Sequence, residues 1–276
     1  MTSRLKAVIR QFPILAYFVL AYSISWIGCL VTVGPKFIRG EPIQFADALM
    51  MFIPMLAGPS IAGIAMTSLV DGRSGLRNLL SRMTTWRIGA RWYVIAVLAP
   101  PVLILSVLLA LWAMVSPAFA PGFVAMGFLV GLLAGFFEEI GWTGYAFPKM
   151  ELKLGVLAAA VYLGLLHSTW HVAADYLGSS SALGAHWLPH FFAFMTASMT
   201  AMRLLIVWVY CNTRSVFLAQ LMHGSSTGFL FILGPAALSP ADDTLWYAIY
   251  AVVLWVVAAI VVATYGKNLS KAVGSL

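Results

Sequence analysis

Eight apolar runs, separated by short polar segments, organise the chain: residues 13–33, 46–70, 92–115, 122–147, 155–176, 189–211, 214–235 and 244–265. A bilayer core of ~30 Å takes ~20 helical residues to cross, so the pattern predicts about eight transmembrane helices. The fold class read from it is an all-α integral membrane protein, with one membrane domain over residues 1–276. The fourth run is apolar as far as Phe137 and then turns amphipathic. Pro54, Pro59, Pro100 and Pro101 fall inside runs, where proline kinks a helix and frees carbonyls that neighbours must satisfy. Gly131 and Gly135 stand four apart, on one face of the fourth helix, and allow another helix close. There is no repeat at fixed period and no low-complexity segment.

Composition sharpens this picture. The chain is 62% hydrophobic and 9% charged, with a mean hydropathy of +0.95; soluble domains carry roughly 25% charged residues. No segment is long or polar enough for a separate soluble domain. Arg4, Lys6 and Arg10 precede the first run, which is too long for a signal-peptide core of about 7–15 residues and ends in Gly34-Pro35-Lys36 without a cleavage site. It reads as a first span. Cys29 and Cys211 are predicted near opposite membrane faces, as free thiols.

Charge orients the spans. With a cytoplasmic N-terminus, the inner segments carry Arg4, Lys6, Arg10, Arg73, Arg77, Arg82, Arg87, Arg91, Lys149, Lys153, Arg214, Lys267 and Lys271. The outer segments carry only Lys36 and Arg39, which is thirteen against two. The positive-inside rule then places both termini in the cytoplasm, in the cell membrane. The net charge of +7 is spread over these connections. It fits topology and contact with anionic membrane lipid, and without aromatic-interleaved basic patches it excludes nucleic acid as a partner.

Ionisable groups inside spans are costly and therefore mark function. Glu138-Glu139 closes the apolar part of the fourth span, His167 and His171 lie one turn apart in the fifth, Arg203 is in the sixth and His223 in the seventh. At 1.5 Å per residue, Glu138, Arg203 and His223 fall at roughly 12–15 Å from the inner face, His167 at about 18 Å and His171 at about 24 Å. Four helices thus bring charge to nearly one level, with His171 the outlier. A carboxylate beside a neutral imidazole can take a proton from water and pass it to a leaving amine. A second imidazole with a hydroxyl can bind the oxyanion.

Other readings exist for each group. The double Glu could be an interfacial pair, Arg203 could snorkel to the membrane surface, and His167-x3-His171 could be half a zinc site. H-E-x-x-H is absent, so no metal or cofactor is expected. Gly224-Ser225-Ser226-Thr227-Gly228 matches G-x-S-x-G only by letter, since that motif needs a strand–turn–helix context.

Glu138-Glu139-Ile140-Gly141-Trp142-Thr143-Gly144-Tyr145, Trp170-His171 and His223-Gly224-Ser225-Ser226-Thr227 together resemble the three motifs of the CAAX-protease and bacteriocin-processing family, which includes the type II prenyl endopeptidases. The likeness covers about residues 120–235. It implies an intramembrane endopeptidase in which Glu138 activates water with His171 beside it. His223 binds the oxyanion, Thr227 stands where the family has Asn, and Glu139 supports the site. Thr143 replaces the family's Arg after the double Glu, a place that Arg203 could fill from the sixth span. The implied substrate is a peptide or protein C-terminus, lipidated or not. The alternatives are a catalytically silent scaffold of the same fold and a proton-coupled transporter. The expected geometry is a polar cavity, shared by Glu138, His171 and His223, that opens toward the cytoplasm.

Overall fold

The computed structural model describes residues 3–271, and Met1, Thr2 and residues 272–276 of the expected single domain lie outside the described residues. Within that range the chain forms α1 (Ser3–Gln11), α2 (Pro13–Thr32), α3 (Gly34–Ile38), α4 (Phe45–Met66), α5 (Gly72–Met83), α6 (Ala90–Met114) and α7 (Met126–Gly141). Next come α8 (Phe147–Leu154), α9 (Val156–Leu183), α10 (Trp187–Phe191), α11 (Met199–Thr213), α12 (Val216–Leu233) and α13 (Pro240–Tyr265). Wide π turns join α4 to α5 (Thr67–Asp71), α7 to α8 (Trp142–Ala146) and α10 to α11 (Phe192–Ser198). No strand occurs among the described residues.

Seven continuous helical stretches are long and apolar enough to cross a membrane. One of them, Val156–Thr213, has 58 residues, which would run ~87 Å if straight, nearly three bilayer cores. It instead turns back at Gly184, whose φ of +54° suits a residue without Cβ, and α11 packs along α9. The chain is therefore a multi-pass membrane protein with eight passes: α2, α4, α6, α7–α8, α9, α10–α11, α12 and α13. Around the point where α9 outruns the expected end at 176, polar groups bond back along the helix and across to α10. The Ser179 hydroxyl donates to the Asp175 carbonyl one turn back at 2.7 Å, and the Asp175 carboxylate accepts from Trp187 Nε1 at 2.7 Å.

Two devices set the helices around the site. Pro59 has no N–H, so the Met55 carbonyl loses its helical partner; Ser25 Oγ on α2 reaches that carbonyl at 3.4 Å and the Pro54 carbonyl at 3.1 Å. On α7, a Cβ at Gly131 would come within 2.3 Å of the Gly224 carbonyl oxygen, and one at Gly135 within 2.3 Å of that of Gln220. Backbone-to-backbone packing of α7 on α12 follows, and it brings the double Glu beside His223.

The segment between the second and third apolar runs, expected as a plain connection, holds the amphipathic α5. Leu79 is buried and Leu76 partly so, while Arg73 and Arg77 are exposed. Arg82 turns inward and donates to the Gly144 carbonyl at 2.7 Å and the Tyr210 hydroxyl at 2.9 Å. The carbonyl it satisfies belongs to the π turn that follows the double Glu.

Candidate active site

Adjacent helical residues point ~100° apart, so Glu138 and Glu139 face different neighbours. Both are buried, at 3% and 0% exposure, which rules out the interfacial pair. Glu139 is saturated. Arg203 Nη1 donates to its two oxygens at 2.7 and 2.8 Å, His223 Nδ1 lies 2.7 Å from Oε1, and the Thr143 hydroxyl donates to Oε2. Arg203 is itself 1% exposed, a buried ion-pair partner rather than a snorkelling side chain. Thr143 and Arg203 thus serve the same carboxylate.

Glu138 is held on one side only. Its Oε2 lies 3.0 Å from His167 Nε2 and 3.3 Å from Trp142 Nε1, with His223 Nε2 at 3.9 Å. The hydrogen-bond partners fix the imidazole tautomers. His167 Nδ1 sits 3.0 Å from Arg203 Nη2, and a guanidinium only donates. Nδ1 is therefore the acceptor, and the ring proton on Nε2 points at Glu138. His223 Nδ1 faces a carboxylate already paired with Arg203, so it carries a proton and donates to Glu139. Glu138 Oε1 has no hydrogen bond among the described residues.

The remaining expected residues flank this cluster. His171 lies one turn beyond His167, its ring 5.2 Å from that of His167 and 4.6 Å from that of Trp170. It lines the cavity and makes no hydrogen bond among the described residues; the imidazole bonded to Glu138 is His167. Thr227, one turn beyond His223 on α12, also lines the cavity. Trp142, which donates to Glu138, was not singled out in the sequence, although it lies four residues on and so on the same helix face.

The cavity above the cluster measures about 300 Å³. Glu138, His167, Arg203 and His223 form one end of it. Its walls are mostly apolar, among them Ala134, Met195, Met199, Met202 and Leu230, and its far end is bounded by Phe52, Asp175, Phe194 and Tyr247. On α7 the lining residues Val130, Ala134 and Glu138 recede toward the helix start, and on α12 His223, Thr227 and Leu230 advance toward the helix end. The cavity therefore extends to the end of the bundle that carries Gly184 and Pro240. Beneath the cluster, toward the end rich in Arg and Lys, the bundle is filled. Trp142 packs on Tyr17, Phe18 and Trp170 with ring centres 5.5–6.0 Å apart, and Phe147 packs on Tyr210 at 5.7 Å. The cavity lining thus lies toward the end of the bundle opposite the one at which α2 begins and α13 ends.

One ligand atom from each of Glu138, His167 and His223 lies within 4.8 Å of the others, a spacing that could hold a metal ion. The trio differs from the His167–His171 pair that the sequence offered. A metal on His167 Nε2 would move the ring proton to Nδ1, where it would meet the Arg203 N–H. Metal-bound histidines place an acceptor at that position.

The chain matches the family described as type II CAAX prenyl endopeptidase, Rce1-like, over residues 120–229. CAAX prenyl protease 2 of Methanococcus maripaludis is 30% identical over 191 aligned positions, covering 64% of this chain and 66% of that relative. The matched range holds Glu138, Glu139, Thr143, His167, His171, Arg203, His223 and Thr227. On these likenesses, together with the motif residues gathered around one cavity, the chain belongs to the CAAX protease family.

Proposed function

We propose that the protein is an intramembrane endopeptidase in which Glu138 activates water for attack on a peptide carbonyl. The observation that carries this reading is the asymmetry of Glu138: Oε2 is fixed by His167 and Trp142, while Oε1 is unbonded and borders a cavity shared with His171, His223 and Thr227. Water bound between Oε1 and His171 gives a proton to Glu138 as its oxygen adds to the carbonyl carbon. The oxyanion is met by the Thr227 hydroxyl and by His223, which with a second proton donates from Nε2. The carbonyl re-forms as the C–N bond breaks, and Glu138 returns its proton to the departing amine, leaving an acid and an amine. Glu139, Arg203, Thr143 and His167 hold these groups without entering the reaction.

No metal takes part in this scheme. The support is the donor set: Arg203 occupies the side of His167 where a metal-bound imidazole would need an acceptor. The substrate is a C-terminal peptide, and the apolar walls suit an attached lipid chain, as the name of the Methanococcus maripaludis relative implies for that protein. Both termini lie in the cytoplasm, on the bias of thirteen basic residues to two, and the cavity consequently opens toward the opposite leaflet.

The test is cleavage of synthetic C-terminal peptides, prenylated and plain, by purified protein in detergent, comparing wild type with Glu138→Gln. The proposal expects wild-type cleavage to fall by about 10²–10⁴-fold in the variant. A catalytically silent scaffold or a transporter would show no cleavage by either protein, and equal cleavage by both would remove Glu138 from the chemistry.

A further inference from the structure

Among the acids that line the cavity, Glu138 belongs to the hydrogen-bonded cluster; the other is Asp175, at the far end. It lies inside the eight-pass bundle, on the same face of α9 as His167 and His171. Its Oδ2 accepts from Trp187 Nε1 at 2.7 Å. Its Oδ1 has no hydrogen bond, and the carboxylate forms no ion pair, among the described residues. Counted at 1.5 Å per residue, Asp175 lies ~30 Å from the inner face, at the outer edge of the bilayer core; it lines the cavity there, and the basic group near it, His190, is 3.1 Å from Asp243. The wall beside it is aromatic: Phe194 and Tyr247 both line the cavity and stack with ring centres 4.0 Å apart. A carboxylate next to aromatic faces is a setting that attracts a cation twice, by charge and by the ring quadrupole.

We propose that this end of the cavity is a subsite for a basic side chain of the peptide, with Asp175 as its counter-ion. The assignment deepens the endopeptidase reading and rests on it for the identity of the ligand as a peptide. Asp175 lies two turns from His167, ~12 Å along the helix. An extended peptide advances ~3.3–3.6 Å per residue, and a lysine side chain spans part of the gap. The basic residue therefore falls about two or three positions from the cleaved bond. A purely structural Asp175, tying α9 to the start of α10 through Trp187, would need an acceptor there but no charge. Asn supplies the acceptor and removes the charge, so the two roles separate.

The experiment measures binding, not turnover. Fluorescent peptides that differ only in lysine or norleucine at each of the four positions on either side of a central bond are titrated onto Glu138→Gln protein in detergent. The same series is run with Glu138→Gln/Asp175→Asn. The inference expects lysine at one position to bind at least about tenfold tighter than norleucine, and Asp175→Asn to abolish that preference while leaving norleucine peptides within about twofold. Equal affinity for both peptides at every position, including equally undetectable binding, overturns it, as does a lysine preference that survives Asp175→Asn. Because turnover plays no part, loss of this subsite and failure of Glu138 as catalyst give different results.

Discussion

The two ends of the bundle are built on opposite plans, and the double Glu sits on the boundary between them. Toward the basic end the space directly beneath the cluster is packed by Trp142, Tyr17, Phe147 and Tyr210, and beyond them Arg82 of α5 reaches in at a surface cleft lined also by Asp71, Gly144 and Lys149. Toward the other end the helices part around a cavity of about 300 Å³. Glu139 belongs to the filled side, with four hydrogen bonds and no exposure. Glu138 belongs to the hollow side, with one oxygen unbonded. Two neighbouring residues of one type therefore have different work: one carboxylate holds the scaffold and the other is left available.

The sharpest way to break this contrast is by sidedness. Single cysteines introduced at Lys153 and at Leu238 should react with a membrane-impermeant thiol reagent from opposite sides of the membrane, and Asp175→Cys should share the side of Leu238. Labelling of Asp175→Cys from the Lys153 side would mean the cavity opens through the end that packing closes. Next in size, Arg203→Ala leaves Glu139 charged, buried and short of its cation, which costs ~3–5 kcal/mol. A fall of that size in unfolding free energy in detergent is expected, with only partial recovery in Arg203→Lys, since an ammonium lacks the guanidinium fork. A wild-type-like melting temperature in Arg203→Ala would show that Glu139 is not the anchor described.

Smaller effects probe the contact that joins the two sides. Gly135→Ala forces its Cβ against the Gln220 carbonyl and Gly224, where 2.3 and 2.5 Å are available, and should destabilise by ~1–3 kcal/mol while drawing Glu139 away from His223. Thr227→Val removes one neutral donor and should lower kcat by about five- to tenfold with stability unchanged, as for one hydrogen bond of ~1 kcal/mol. Strong chelators should have no effect on cleavage. Loss of activity on chelation, with recovery on added zinc, would revive the trio of Glu138, His167 and His223 as ligands.

Much of this was legible in the sequence because lipid leaves few options. Eight apolar runs are eight passes, and buried charge had to converge: the depth estimate already set His167 closer to the level of Glu138 and Arg203 than His171. The family likeness, by contrast, directed attention to His171, since motif positions carry roles and not distances. α5 leaves no mark in the apolar runs, because the spacing of Leu76, Leu79 and Met83 among Arg73, Arg77 and Arg82 is a helical pattern too short and too charged to make one. The direction of the cavity was out of reach for a different reason. Depth counted along single helices places groups at a level, but which side of that level is filled depends on how Trp142, Tyr17 and Trp170 pack between helices far apart in the chain.

The claim that the neighbouring carboxylates divide catalysis and support is tested most directly by measuring peptide cleavage and thermal unfolding together, in detergent, for Glu138→Gln and Glu139→Gln. The account predicts that Glu138→Gln unfolds within a few degrees of wild type and loses about 10²–10⁴-fold in cleavage, whereas Glu139→Gln strands the Arg203 charge and unfolds well below wild type. A Glu138→Gln protein that still cleaves at the wild-type rate, or a Glu139→Gln protein with unchanged stability, would contradict it.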